Sequence, residues 1–406
     1  MKHKNVAYVY RSALINNYSQ IEYIVSRGAE EIGAKKPRVI CVVKADAYGH
    51  GIHTTAGALG EAGCNFFAVS SEEEAAELRQ IERENGRHPD ILILGHISPE
   101  NVGHMLEDDI ICAVVSHENA MELADAVAEY RKVSGNSSAR LKIHLKLDTG
   151  MNRVGFSADE AGAVQTVDEI AALSQNENLK ICGIFTHFSS ADEEMMNGNI
   201  VEGYEELGGY TRMQLGRFKS IVKKLEDMGV DVGTKHAANS AAALKFPEAY
   251  FDAVRAGVII YGLMPNGSID KRFTPAMRFD STVTHIHKVN PGERISYGAT
   301  FEAKREMLIA TVAAGYADGF ERAYGGCLVK IGGKLYPQVG RICMDQFMVD
   351  ITPADGRTSD VKVGDAVTLF GGDDGTMSSD LAARARTINY EVICKVSKRV
   401  CREVIE

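Results

Sequence analysis

Val39-Ile40-Cys41-Val42-Val43-Lys44-Ala45-Asp46-Ala47-Tyr48-Gly49-His50-Gly51 opens on an apolar run and halts at a lysine. The run reads as a buried strand, and the small residues and glycines behind Lys44 read as a turn. A lysine at the mouth of such a strand is partly withdrawn from water. Desolvation disfavours its ammonium form, and each unit by which its pKa falls corresponds to about 1.4 kcal/mol. On this stretch alone two readings of Lys44 stand. It snorkels from a strand end with no chemical role, or its neutral amine is free to form a Schiff base with a carbonyl.

The unit repeats along the chain. A helix over 13–29, with Leu14, Ile15, Ile21 and Ile24 on one face, precedes the first strand. Apolar strands are predicted near 38–44, 66–70, 91–95, 111–115, 141–148, 181–187, 233–238 and 253–260. Helical patterns lie between them. One opens on a capping box at Ser71 and Glu74, another at Ser157 and Glu160, and the longest, near 203–229, ends in Lys223-Lys224 and Gly229. Alternation of strand and helix implies a parallel sheet, and eight such units predict a closed (β/α)8 barrel over 12–270. The alternative is an open doubly wound sheet, for which a Gly-x-Gly-x-x-Gly turn after the first strand is absent. After Lys271 the texture changes. Segments 276–289, 308–314, 327–338 and 347–351 are β-rich, with Pro291-Gly292, Gly332-Gly333 and Gly371-Gly372 between them, and a helical stretch over 379–399 follows. We read 271–406 as a mostly β domain, joined by a strand at 5–10 from the N-terminal 1–11.

The totals set bounds. A chain of 406 residues has room for two or three domains, and its net charge of -10 argues against a nucleic-acid or anionic-membrane partner. The cysteines at 41, 64, 112, 182, 327, 343, 394 and 401 form no Cys-x-x-Cys pair and mostly sit in apolar runs, as reduced buried thiols do. The basic start is broken by Asn16, Asn17, Ser19 and Gln20, and no stretch is long enough to span a membrane. The expectation is a soluble, cytoplasmic protein.

In a barrel, chemistry gathers at the C-terminal ends of the strands. Lys44 follows strand 1, Arg153 follows strand 5, His187 ends strand 6, Asn239 and Ser240 follow strand 7, and Arg255 lies in strand 8 before Gly257. Strand 5 places Leu141, Ile143, Leu145 and Leu147 on one face and Lys142, His144, Lys146 and Asp148 on the other, inner one. Lys146 near Arg153 sets two cations in low dielectric, which requires an anion: Asp148, or conversion of the lysine to a carbamate. Ser240 with Gly257 and Val258 suits a phosphate, although on the residues alone Ser240 reads first as the cap of a helix starting at Ala241. A Schiff-base lysine and a phosphate cradle in one barrel suggest pyridoxal phosphate. No metal site is expected: His50 and His53 lack a glutamate at ligand spacing, and His285 and His287 read as a solvated pair.

These blocks closely resemble the alanine racemase family of fold-type III pyridoxal-phosphate enzymes. They are Val43-Lys44-Ala45-Asp46-Ala47-Tyr48-Gly49-His50-Gly51, Lys146-Leu147-Asp148-Thr149-Gly150-Met151-Asn152-Arg153, Thr186-His187-Phe188, His236-Ala237-Ala238-Asn239-Ser240, Arg255-Ala256-Gly257, Ser296-Tyr297-Gly298-Ala299-Thr300, Gly315-Tyr316-Ala317-Asp318-Gly319, Arg341-Ile342-Cys343-Met344-Asp345 and Ile388-Asn389-Tyr390-Glu391. The resemblance implies that Lys44 binds the cofactor and acts as one base, with Tyr297, from the partner subunit's second domain, as the other. It assigns Arg255 to the pyridine nitrogen, Tyr48, Asn239, Ser240, Gly257, Val258 and Tyr390 to the cofactor and its phosphate, and His187 to the support of Arg255. Arg153 and the backbone of Met344 would hold the substrate carboxylate, with Lys146 carbamylated beside Arg153. Asp192, Tyr316, Arg322 and Arg341 would line the path to the site. It also implies a homodimer with shared sites, a small amino-acid substrate, and interconversion of L- and D-alanine for cell-wall synthesis. The alternatives on this scaffold are a serine or broad-specificity racemase, and a decarboxylase, which would place glutamate where Arg255 stands.

Overall fold

The computed structural model describes residues 5–204, 206, 208–353, 359–371 and 378–406. The basic start at 1–4 and Gly372 of the Gly371-Gly372 turn lie outside the described residues. Eight short parallel strands form the N-terminal unit: β1 (Arg38–Val42), β2 (Phe66–Val69), β3 (Asp90–Ile93), β4 (Ile111–Val114), β5 (Leu141–Asp148), β6 (Leu179–Phe185), β7 (Thr234–His236) and β8 (Ala253–Ala256). Each pairs with the next, and Arg255 of β8 lies opposite Ile40 of β1, which closes the barrel. Strands this short and this fully buried need apolar residues on both faces, as the unbroken runs in β2 and β4 supply.

The second unit is a mostly antiparallel sheet around the long strand Met277–Val289. That strand pairs with Val6–Tyr10, Ala366–Phe370 and Met307–Val312, with a register shift after Phe279 in the second pairing and after Val283 in the third. The N-terminal strand therefore belongs to the β unit, as expected. A C-terminal strand, Cys401–Ile405, runs parallel beside it.

Several local expectations are corrected. The 379–399 stretch is two short helices, Ser378–Ala385 and Asn389–Cys394, separated where Arg386 takes a left-handed conformation. The helix predicted from 203 begins at Gly209, where the buried Glu194 carboxylate accepts from the N–H groups of Tyr210 and Thr211. The Ser157–Glu160 box caps nothing: that helix starts at Ala163, after a turn in which Asp159 accepts from the Gly162 N–H. Strand 8 stops at Ala256 and gives way to a 3-10 turn, Val258–Tyr261. His187 lies two residues past the end of β6. All eight cysteines are free thiols, yet Cys394 is exposed rather than buried. No described helix is long and apolar enough to cross a membrane.

Candidate active site

The strand ends converge on one cavity of about 950 Å³. Lys44, Tyr48, Lys146, Arg153, His187, Asn239, Ser240, Arg255, Gly257 and Val258 line it from the barrel side; Asp192 comes from the short helix Ala191–Met195 and Tyr390 from Asn389–Cys394. The expected groups therefore meet, although they are drawn from residues up to 346 positions apart (44 to 390).

Lys44 owes its position to a backbone feature that periodicity does not reveal. Ala45, Asp46, Ala47 and Tyr48 all have φ between 51° and 54°, forming a left-handed turn of residues that each disfavour it. Such a turn costs roughly 1–2 kcal/mol per residue and persists because its groups are held. The Glu74 carboxylate accepts from the Ala45 N–H at 2.6 Å and the Ser70 N–H at 2.8 Å, and Asp46 accepts from the Ile52 N–H at 2.8 Å. Ser71 does accept from the Glu74 N–H as an N-cap, but the Glu74 side chain serves the lysine turn instead of closing a capping box. Burial, then the nearby Arg153, lowers the pKa of the Lys44 amine.

The other side of the cavity is a cradle. Asn239, not Ser240, caps the helix Ser240–Lys245, its Oδ1 accepting from the Ala242 N–H at 3.1 Å. Ser240 is thereby released, and its Oγ accepts from the Gly257 N–H at 2.9 Å. A Cβ on residue 257 would lie 2.8 Å from the Tyr48 hydroxyl oxygen, so the space among Gly257, Ser240 and Tyr48 exists only because that position is glycine. Tyr48 packs between the rings of Tyr261, at 4.9 Å, and Tyr390, at 6.1 Å. These hydroxyls and the backbone turn form a neutral, donor-rich cradle suited to a phosphate group.

Arg255 is buried at the back. Its Nη1 donates to His236 Nδ1 at 2.8 Å and to the His236 carbonyl at 3.1 Å; its Nη2 donates to the carbonyls of Thr186 at 2.7 Å and Ala237 at 2.9 Å and to His187 Nδ1 at 3.2 Å. Among the described residues its Nε–H has no acceptor. Burial and Arg153 push the guanidinium pKa down, but every other donor meets an acceptor, and arginine keeps its proton under such conditions. Burial, followed by Arg255, holds His187 and His236 well below their ordinary pKa and therefore neutral.

Asp148 acts on Lys146 only through its charge, as the smallest of the influences on that amine. Its carboxylate accepts from the N–H groups of Gly150, Asn152 and Arg153, each at 3.0 Å, and so shapes the loop that presents Arg153. Lys146 lies over the Phe185 ring, 5.5 Å from Nζ to centroid, and Arg255 sits at the same distance from that ring. Burial, Arg255 and Arg153 bring the Lys146 pKa down to about 8. Phe185 and Cys394 line the cavity without having been marked in the sequence; neither carries a local motif, and only tertiary packing brings them there.

Tyr297, Tyr316, Arg322, Arg341 and Met344 are not on this cavity. They stand on the β unit, Tyr297 70%, Met344 52% and Tyr316 42% exposed. Ser296 Oγ donates to the Arg341 carbonyl at 2.6 Å, and the N–H groups of Tyr316 and Ala317 donate to the carbonyls of Cys343 and Met344 at 3.1 and 3.0 Å. Tyr297, Tyr316, Arg341 and Met344 thus form a second polar cluster, projecting outward from the same chain.

The comparisons with known proteins bear on both clusters. The family model "Alanine racemase, N-terminal domain" matches residues 11–265, and "Alanine racemase, C-terminal domain" matches residues 276–404. The alanine racemase of Clostridium novyi is 41% identical over 374 residues, covering 91% of this chain and 89% of that protein. The alanine racemase of Desulforamulus reducens is 39% identical over 411 residues, spanning 100% of both. Among solved structures, that of alanine racemase from Clostridium difficile 630 is 34% identical with a TM-score of 0.85, covering 100% of this chain and 97% of that one.

Proposed function

The chain belongs to the alanine racemase family and interconverts L- and D-alanine; we propose that it does so with pyridoxal 5'-phosphate bound at Lys44, in sites completed by a second copy of the chain. The observation that carries the cofactor reading is the convergence of three unlike groups on one cavity. These are the Lys44 amine, the Ser240–Gly257–Tyr48 cradle and the single unpartnered Nε–H of Arg255. They fit the aldehyde, the phosphate and the ring nitrogen of one molecule. When bound, that molecule supplies the conjugated ring that takes up the electron pair left when Cα loses its proton.

The remaining steps belong to the protein. Inversion at Cα requires a proton to leave one face and another to arrive on the opposite face, so two bases must flank the substrate. Lys44 Nζ serves one face, its lowered pKa making the neutral amine accessible. Tyr297 serves the other through its phenol oxygen. Its exposure at the surface of its own chain supports a role in the partner's site, with Met344 beside it directed at the substrate carboxylate and Tyr316, Arg322 and Arg341 along the approach with Asp192. Arg153 binds that carboxylate from the barrel side. Arg255 presents a hydrogen bond to the ring nitrogen without surrendering a proton to it, while His187 holds its second amino group. Lys146, as a carbamate, places an anion between Arg153 and Arg255 and removes the repulsion between its own ammonium and those two guanidinium groups. The chemistry suits a cytoplasmic supplier of D-alanine for cell-wall synthesis.

Incubation of the full chain with pyridoxal phosphate, borohydride reduction and peptide mapping tests the assignment. The label is expected on Lys44, with racemisation of alanine exceeding that of serine or lysine by chiral chromatography. Lys44→Ala is expected to lose both the cofactor's visible absorbance and turnover. Label elsewhere, or a fully active Lys44→Ala enzyme, refutes the site.

A further inference from the structure

Behind the cavity, Arg255, His236 and His144 form a buried line. Arg255 Nη1 is 2.8 Å from His236 Nδ1, and His236 Nε2 is 2.9 Å from His144 Nδ1. Distances alone do not locate protons on imidazoles, since either ring nitrogen can donate or accept. The arginine resolves the ambiguity because a guanidinium has only donors. His236 Nδ1 must therefore be a lone pair. Burial and Arg255 keep His236 neutral, so its one proton sits on Nε2 and points at His144. His144 Nδ1 must accept it, and His144, also neutral with a pKa lowered to about 3 mainly by burial, carries its own proton on Nε2. All the N–H bonds in the line then run in one direction, and each hydrogen bond polarises the next.

We propose that His144 is a positioning residue for the racemase reaction: its Nδ1 lone pair keeps the His236 proton on Nε2, so that His236 always offers Arg255 an acceptor and holds the guanidinium in place. This rests on the reading that Arg255 meets the cofactor's ring nitrogen. Both rings are built in. His236 stacks on Phe185 at 4.8 Å with 4° between planes. The His144 ring occupies space that a Cβ on residue 183 would enter, at 2.5 Å, so Gly183 of β6 makes room for it. With stacking fixing the plane of His236, the choice left to it is which nitrogen bears hydrogen. Were that Nδ1, an N–H would face the N–H of Arg255 at 2.8 Å. The geometry parallels the use of a buried acceptor to orient a working histidine from behind.

The test uses the full chain labelled with 15N-histidine, with and without added pyridoxal phosphate. His144→Leu removes the acceptor; His144→Asn keeps an oxygen where Nδ1 lies. In the unsubstituted protein His236 is expected to show a protonated Nε2 and a bare Nδ1 even without cofactor. His144→Leu is expected to mix the two tautomers and shift the visible band of the bound cofactor. It should lower kcat about tenfold while KM changes less than about twofold, and His144→Asn should recover most of the loss. Protonation of His236 on Nδ1 in the unsubstituted protein overturns the proposal, as does an unchanged kcat in His144→Leu or an Asn variant as damaged as the Leu one. Should His144→Leu fail to fold, the unsubstituted and Asn proteins still decide. Failure of the cofactor reading would be seen separately, as unlabelled Lys44, since the tautomer is measured on cofactor-free protein.

Discussion

At the scale of single residues, Lys146 shows how burial creates reactivity. A lysine 4% exposed, beside Arg255 and Arg153, has its pKa brought down to about 8 and so carries a substantial neutral fraction near neutrality. A neutral amine adds carbon dioxide; an ammonium does not. Protein exchanged into 13C-bicarbonate is therefore expected to show one slowly exchanging carbamate carbon resonance that is absent from Lys146→Met. Because formation needs the free base, labelling should be strong above about pH 8 and fade as pH falls below it. A spectrum identical in the two proteins would leave Lys146 as a plain amine. The sequence placed Lys146 and Arg153 close together and called for an anion, but left Asp148 and a carbamate equal. Asp148 accepts from three loop N–H groups and acts on Lys146 through its charge, so the labelling separates the two readings.

At the scale of elements, the short helix Ser240–Lys245 divides two tasks between adjacent residues. Asn239 satisfies the helix N-terminus and Ser240 satisfies Gly257. Losing a side-chain N-cap typically costs about 1 kcal/mol. Asn239→Ala is thus expected to destabilise the cofactor-free protein by about that amount, read as a lower urea midpoint at unchanged m, and Asn239→Ser to restore it. No change on Asn239→Ala would mean that Ser240 caps the helix after all. The sequence reading gave the cap to Ser240 because both residues are good caps, and only the register of one residue separates them. The same limit explains Glu74. Its spacing from Ser71 matches a capping box, yet the nearby left-handed turn at Ala45–Tyr48 competes for its carboxylate and wins.

At the scale of the whole molecule, two consequences are testable. If Tyr297 works in the partner's site, Lys44→Ala and Tyr297→Ala proteins, each inactive alone, should regain about a quarter of full activity when unfolded and refolded together, since half the dimers are mixed and each mixed dimer holds one intact site. No recovery would place both bases in one chain. The second concerns acid. His50, His144 and His236 are buried and His187 partly so, and all four pKa values are held below their ordinary value, chiefly by desolvation. In the unfolded chain each titrates near 6.5, so below that pH the unfolded state binds more protons. Their contribution is intact above about pH 6.5 and declines as pH falls, by up to about 1.4 kcal/mol per pH unit for each group. The urea midpoint should drop steeply between pH 6.5 and 5; a flat profile would mean these histidines are not buried neutral. The sequence by itself determined the eight strand–helix units, the β-rich second half and the motif residues at the strand ends, because apolar periodicity and turn residues are local signals. Tertiary structure alone decided that Lys44 sits on a left-handed turn, that Asn239 frees Ser240, that two histidines stand behind Arg255, and that Tyr297 stands exposed and off its own chain's cavity. Each of those depends on groups distant in sequence meeting in low dielectric, where a single hydrogen bond or proton position outweighs local preference.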